Sequence, residues 1–228
     1  ISYYPIFNDS AIFFILFKPM DLITIALYLT IVVIALTIHE FCHAWAGHML
    51  GDVTAKQEGR LTLNPMSHID PFSTLLLPAA LIFLGSPVVF GAAKPVPFNP
   101  YAVRYGKWGA ALIAIAGPTS NLLMATVVGL YLRVFDVTGV AGQFLLQFVL
   151  INLAFFVFNM IPIPPLDGSR VLYVVLPSSL QDIMDQIEKY GIIVIFAFLL
   201  IFYQLLSPLI ISAVTWLATL ILGQSPVL

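Results

Sequence analysis

The chain has 228 residues, 61% of them hydrophobic and 9% charged, where ordinary soluble domains carry roughly a quarter charged residues and about half apolar ones. A soluble protein of this size cannot hide so much apolar surface, so lipid is expected to be the main solvent. The net charge of −2 comes with no basic stripe, which excludes nucleic acid as a partner, and the single cysteine, Cys42, excludes an internal disulfide.

In chain order, the sequence opens at Ile1 without an initiator Met, so upstream residues are expected to be missing. Its first twenty residues lack the charged start and cleavage site of a signal peptide. Ser10–Phe17 is apolar but too short to span, and reads as an interfacial piece or the end of a truncated span. Leu22–Leu50 is the first full span, with its polar residues gathered at the far end. Phe72–Phe90 is apolar but interrupted by Pro78, Gly85 and Pro87. Trp108–Phe135 is expected to be broken near Gly117-Pro118. Gly142–Ile161 ends in the cluster Pro162, Pro164 and Pro165. Tyr190–Leu222 closes the chain as one tilted span or as two pieces meeting near Pro208. The connections are short and polar: 51–71, 91–107, 136–141 and 162–189. They leave no room for an extramembrane domain of ordinary size. The fold class expected is an all-α polytopic membrane protein. It has about five to six transmembrane or re-entrant helices, with short β or irregular segments near the active site, in a single domain over 1–228.

Within the first span stands His39-Glu40-Phe41-Cys42-His43. Residues four apart lie on one helix face, so both imidazoles can reach one metal at about 2.0–2.1 Å. Glu40 sits about a quarter turn round, where it can address the attacking water rather than the metal. Three ionisable groups in the run LTIVVIALTIHEFCHAW are costly in lipid, and such groups are by default functional.

Two histidines leave a catalytic zinc one protein ligand short. The carboxylates on offer are Asp52, Glu58, Asp70, Asp136, Asp167, Asp182, Asp185 and Glu188. Most stand beside Lys or Arg in polar loops, as solvated charges do. Asp167 differs: it follows a span through a proline-rich stretch, and irregular backbone at membrane depth survives only when buried in protein or lining a wet cavity. It could equally cap a helix starting at Gly168, a role compatible with ligation. Of the other histidines, His48 lies roughly 140° round from His43 and should miss the metal. His68 falls in a loop, as a gate, a spare ligand or neither. Gly47 and Gly51 suggest close helix contact.

Three motifs, His39-Glu-Phe-Cys-His43, Ala116-Gly-Pro-Thr-Ser-Asn121 and Asn159-x-x-Pro162 with Leu166-Asp167-Gly168, together resemble the site-2 protease family of intramembrane metalloproteases. Leu63-Asn-Pro-Met-Ser-His68-Ile-Asp70-Pro and Lys94-Pro-Val-Pro-Phe-Asn-Pro100 are similar to its compact bacterial and archaeal members. The resemblance covers residues 22–176 and leaves out the last span, about 190–222. It implies Zn2+ held by His39, His43 and Asp167, Glu40 as general base, and transmembrane proteins as substrates. Asn159 and Asn121 are the amides near these motifs, as substrate or oxyanion donors or as interhelical hydrogen bonds. The alternatives are a membrane metal or ion transporter, which would spread its ligands along a route, and an inactive homologue that binds membrane partners.

Topology supplies an independent expectation. If every apolar segment spans, Asp167 falls on the face opposite the histidines. If 72–90 dips in and returns, Asp167 joins them, and Lys56, Arg60, Lys94, Arg104, Lys107, Arg170 and Lys189 collect on the same side. The positive-inside rule makes that side cytoplasmic, which places the active site nearer the cytoplasmic face, in a prokaryotic cell membrane. Gly59-Arg-Leu-Thr-Leu63, with period-two apolar character, is a candidate edge strand for an extended substrate; otherwise it is a plain loop.

Overall fold

The computed structural model describes residues 22–76, 80, 83, 93–190 and 192–223. Its elements are α1 (Leu22–Met49), the short α2 (Thr54–Gln57), a 3-10 turn (Pro65–Ser67) and a π-helical turn (Pro71–Leu76). They continue with α3 (Lys107–Val134), α4 (Gly139–Asn159), α5 (Asp167–Val175), α6 (Ser178–Glu188) and α7 (Ile192–Leu222). Among the described residues, four helices are long and apolar enough to cross a bilayer: α1, α3, α4 and the second part of α7. The polytopic all-helical expectation holds.

The long helices form because nothing in them competes with the helical ladder and lipid accepts their apolar surface on every side. Leu29, Leu112, Leu123, Val127, Leu205 and Leu220 are all left exposed. The most buried helix is α3, 44% against 22–28% for the other three, and it is therefore the one the others pack around. An apolar core joins it to α4 and α7 through Ala125, Val149, Leu150, Leu153, Ile210, Val214 and Ala218.

One expectation about a helix break needs correcting. The segment 107–134 is one helix with Pro118 inside it. The proline withholds only the N–H that would bond the Ala114 carbonyl, a single missing rung that a helix packed in a bundle tolerates. For the last segment two readings stood open, and the structure takes the first: one 31-residue helix, with Pro208 inside it. At 1.5 Å per residue it measures about 46 Å, longer than a bilayer core.

The helices alternate in direction. His43 on α1 meets Ile113 on α3, and Ala35 meets Asn121, so α1 and α3 run antiparallel. Leu50, just past α1, and Arg104, just before α3, are hydrogen-bonded through their backbones at 2.9 Å. The chain thus leaves and re-enters the bundle at one end. Most of Phe72–Phe90 lies outside the described residues, but its flanks do not: Lys94 N donates to His68 O at 2.9 Å. By Lys94 the chain is back on the side where α1 ended, and α4 then delivers Asp167 to the histidine end.

That end carries a polar cap. Asp52 accepts from Thr54 N, Thr54 Oγ1 and Asn99 N at 2.9, 2.6 and 2.7 Å, and Arg60 Nη2 donates to Lys94 O at 2.5 Å. Burial alone would push the Asp52 carboxyl up, but these three donors outweigh it and hold the group below the usual carboxylate range. Together they strap the extended segment 93–99 across residues 52–68. The candidate strand Gly59–Leu63 is a run of turn and bends, and no strand occurs among the described residues. Its polar contacts explain this: Arg60 N bonds Ala55 O and His68 Nε2 bonds Thr62 O at 2.8 Å, so no neighbouring strand is paired. Gly51 has φ of +100°, so it serves the turn after α1 rather than a helix contact.

Candidate active site

The site is built on α1. His39 and His43 face α3 with their rings edge-to-face, centroids 4.6 Å apart. Each ring is fixed from behind: His43 Nδ1 donates to Ile113 O at 2.8 Å, and His39 Nδ1 to Asn121 Oδ1 at 2.6 Å. A carbonyl oxygen can only accept, so Nδ1 of His43 carries the proton, and the same holds for His39 facing an amide oxygen. In the neutral rings both Nε2 atoms therefore present lone pairs.

Those two nitrogens are 3.0 Å apart, and the Asp167 Oδ2 atom lies 3.3 Å from one and 3.4 Å from the other. Three acceptors converge with no donor among them, an arrangement that calls for a cation. The edge of a tetrahedron around zinc with bonds of 2.0–2.1 Å is about 3.3–3.4 Å, so both carboxylate distances fit and the His–His distance is slightly tight. Among the described residues these three are the group able to hold a metal. The donor set, two neutral imidazoles and one carboxylate, is the kind that catalytic zinc uses, with the fourth position left open.

Space for the ion comes from a missing side chain. A Cβ on Gly117 would lie 2.6 Å from His43 Cε1 and 2.7 Å from His39 Nε2, and would also strike His43 Nε2. Asp167 reaches the rings because it is the first residue of α5, and α5 begins against the end of α4. A Cβ on Gly168 would lie 2.5 Å from the Met160 carbonyl carbon. The anticipated cap role is not taken up: Leu166 holds the cap position and no side chain caps α5. On its outer side α5 is tied by Arg170, which pairs with Glu188 of α6 and sits 5.8 Å from the Phe98 ring. Gln181 closes its far end by donating to Tyr173 O and Leu176 O, both at 2.8 Å.

Glu40 stands next to His39, largely buried, and makes no ion pair or hydrogen bond to the described residues, so its carboxylate is free to accept from water or substrate. Asn121 takes the interhelical role, one of the two the sequence offered for it. It is fully buried and spends its amide on His39, on Ala35 O at 3.3 Å and on Asn152 Oδ1 at 2.9 Å. It orients a ligand and has no face left for substrate. Asn159 ends α4 and donates to Phe155 O at 3.0 Å, which leaves one N–H of its amide uncommitted. His48 and His68 stand outside the three-ligand group, and His68 is fully buried in the cap. The sequence reading passed over Asn152, although a lone amide inside an apolar span is a signal in itself. It also passed over Ile113, whose contribution is a backbone carbonyl and leaves no mark in the sequence.

Comparison with known proteins places this geometry. The family model for peptidase family M50 matches residues 136–202. A Bacillus subtilis protein provisionally named zinc metalloprotease YwhC is 36% identical over 189 residues, 78% of this chain and 81% of its own length. A Mycobacterium tuberculosis protein provisionally named zinc metalloprotease Rip2 is 32% identical over 190 residues, 81% of this chain and 70% of its own length. Its Mycolicibacterium smegmatis namesake is 29% identical over 173 residues, 73% of this chain and 63% of its own length. No solved structure gives a significant match. Because identity to YwhC extends over most of both chains, this chain belongs to peptidase family M50, the site-2 proteases, and is a membrane metalloprotease.

Proposed function

We propose that the chain is a zinc-dependent intramembrane protease that hydrolyses peptide bonds in or near the transmembrane segments of other membrane proteins. His39, His43 and Asp167 are its metal ligands and Glu40 its general base. The observation that carries this reading is the convergence of three lone-pair atoms, 3.0–3.4 Å apart, beside a buried carboxylate that has no partner among the described residues. Zinc held by His39, His43 and Asp167 would supply Lewis acidity toward a peptide carbonyl and a bound water. Glu40 takes the proton from the attacking water and returns it to the leaving amine. The spare N–H of Asn159 is the side-chain donor we assign to the substrate backbone.

Depth supports a membrane substrate. His43 and His39 lie six and ten residues before the end of α1, about 9 and 15 Å below it at 1.5 Å per residue. Trp45 and Trp108 are exposed near that level, where aromatic side chains mark the membrane–water boundary. A soluble polypeptide would have to enter the headgroup region to reach the site. The excess of Lys and Arg in the connections at the histidine end supports a cytoplasmic orientation, and the relatives named above are bacterial.

The test is cleavage of transmembrane substrates by the purified protein, with Glu40→Gln alongside. The variant should keep its zinc and lose activity by about 10²–10⁴-fold. Zinc retained with cleavage unchanged would remove Glu40 from the mechanism, and zinc binding unaffected by His39→Ala would remove the ligand assignment.

A further inference from the structure

We infer that Asn152 is a positioning residue: acting through Asn121, it holds His39 in the tautomer that leaves Nε2 free to bind a metal. The inference rests on the reading of His39 as a ligand and extends it to a residue on α4, outside the motifs that carry the family resemblance.

The two ligands are oriented in different ways. His43 donates directly to a backbone carbonyl, Ile113 O, whose polarity cannot change. His39 donates to a side-chain amide, and an amide can rotate by half a turn to present its NH2 instead of its oxygen. With the amide reversed, His39 Nδ1 would face a donor and become the acceptor, so its proton would move to Nε2 and point into the metal seat. Something must fix the Asn121 amide.

The fixing runs through two carbonyls. Asn152 Nδ2 donates to Phe148 O at 2.8 Å. That oxygen only accepts, so the Asn152 amide has one permitted sense and its Oδ1 must face Asn121. Asn121 Nδ2 then donates to Asn152 Oδ1 at 2.9 Å and, at a longer 3.3 Å, to Ala35 O. Asn121 Oδ1 is left pointing at His39. Both asparagines are fully buried, so water cannot substitute for either. Polarity passes from Phe148 O to Asn152, to Asn121, to His39, each step dictated by which group can donate. Without Asn152 only the long contact to Ala35 O opposes rotation.

The experiment measures metal affinity, by competition with a chromophoric chelator in detergent, and the visible absorption of the cobalt-loaded protein, which reports tetrahedral coordination. Asn152→Leu keeps the branched outline and the number of heavy atoms but removes the acceptor. It should weaken zinc binding about 10–100-fold, the usual effect of losing a group that orients a ligand, and should diminish the tetrahedral cobalt bands. Asn152→Asp, as a neutral acid, can donate its hydroxyl to Phe148 O and accept from Asn121, so it should retain both properties. Asn152→Val carries the same expectation as leucine should leucine block folding. Wild-type affinity and cobalt absorption in the leucine or valine variant would overturn the proposal. A loss in Asn152→Asp equal to theirs would also overturn it, since packing rather than polarity would then be at stake. His39→Ala separates the two levels. If it abolishes binding while leucine does nothing, the relay alone fails; if it binds metal normally, the ligand reading fails and the relay with it.

Discussion

Replacing Gly117 by alanine should damage catalysis far more than stability. The new Cβ would sit 2.7 Å from His39 Nε2, about 0.7 Å short of an ordinary contact. Neither ring can swing away freely, because each is held from behind at Nδ1. Overpacking of this kind costs about 1–3 kcal/mol, and alanine recovers about 1 kcal/mol of helix propensity, so the net loss should be at most about 2 kcal/mol. Displacing the reacting groups by a sizeable part of an ångström can cost about 10²-fold in rate, and the methyl intrudes on the metal seat as well. Gly47→Ala is the matched control on the same helix pair, since its Cβ would meet Ile113 Cδ1 at an ordinary 3.8 Å. It should be neutral or mildly stabilising. Zinc content, thermal unfolding in detergent and substrate cleavage are measured on both. Wild-type zinc affinity and turnover in Gly117→Ala would refute the placement of the metal beside α3.

Gly168→Ala should push the start of α5 off the Met160 carbonyl and carry Asp167 away from the rings. The expectation is weakened zinc binding with the His39 and His43 hydrogen bonds to α3 intact, read by chelator competition and histidine NMR; unchanged affinity would show that α5 can adjust. The Asp52 carboxyl titrates below its ordinary value of 3.8 when folded, so its contribution is complete above that value and is lost as pH falls beneath it. Protection of the amides in 93–99, measured relative to their intrinsic exchange at each pH, should therefore fall below about pH 4 by up to tenfold, about one hydrogen bond's worth, and Asp52→Asn should remove that pH dependence of protection; identical profiles would contradict it. Tyr101, 97% exposed at the histidine end, gives the orientation test. As Tyr101→Cys in a Cys42→Ala background, it should react with an impermeant maleimide only from the cytoplasmic side, and labelling from outside would reverse the topology.

What the sequence disclosed and what it hid follow a physical division. The histidine pair was legible because helical periodicity makes residues four apart neighbours whatever surrounds them. Asp167 was legible because prolines after a span force irregular backbone where lipid forbids it. The side on which it lies came from requiring the ligands to meet, a constraint stronger than hydropathy. Pro118 misled because a proline is judged by its own helix, while packing in a bundle tolerates the single rung it removes. The connection 162–189 showed only a helix start near Gly168, because α5 and α6 are short and amphipathic and their order comes from tertiary ties such as Gln181 to the Tyr173 and Leu176 carbonyls. Asn121 stood out by its motif but not by its role, since an amide in a span reads alike whether it serves substrate or a ligand. Gly51 and Gly47 look equivalent in the sequence, and only φ distinguishes the turn residue from the helical one.

The register of two helices accounts for most of the site. Ile113, Gly117 and Asn121 are each four apart and so share one face of α3, as His39 and His43 share one face of α1. Running antiparallel, the faces match His43 with Ile113 and His39 with Asn121, and Gly117 falls between, level with both Nε2 atoms. The outer two α3 positions must supply acceptors to orient the rings, and the middle one must supply nothing, because any side chain there would occupy the metal seat. Sliding α3 by one residue would break both Nδ1 bonds and rotate Gly117 about 100° out of the face. The histidines are therefore oriented by packing against α3, the most buried helix, whereas Asp167 comes from a separate turn with its own ties at Gly168 and Arg170. Catalytic geometry here depends on α1 and α3 staying in register, and substrate access must be arranged by elements outside that pair.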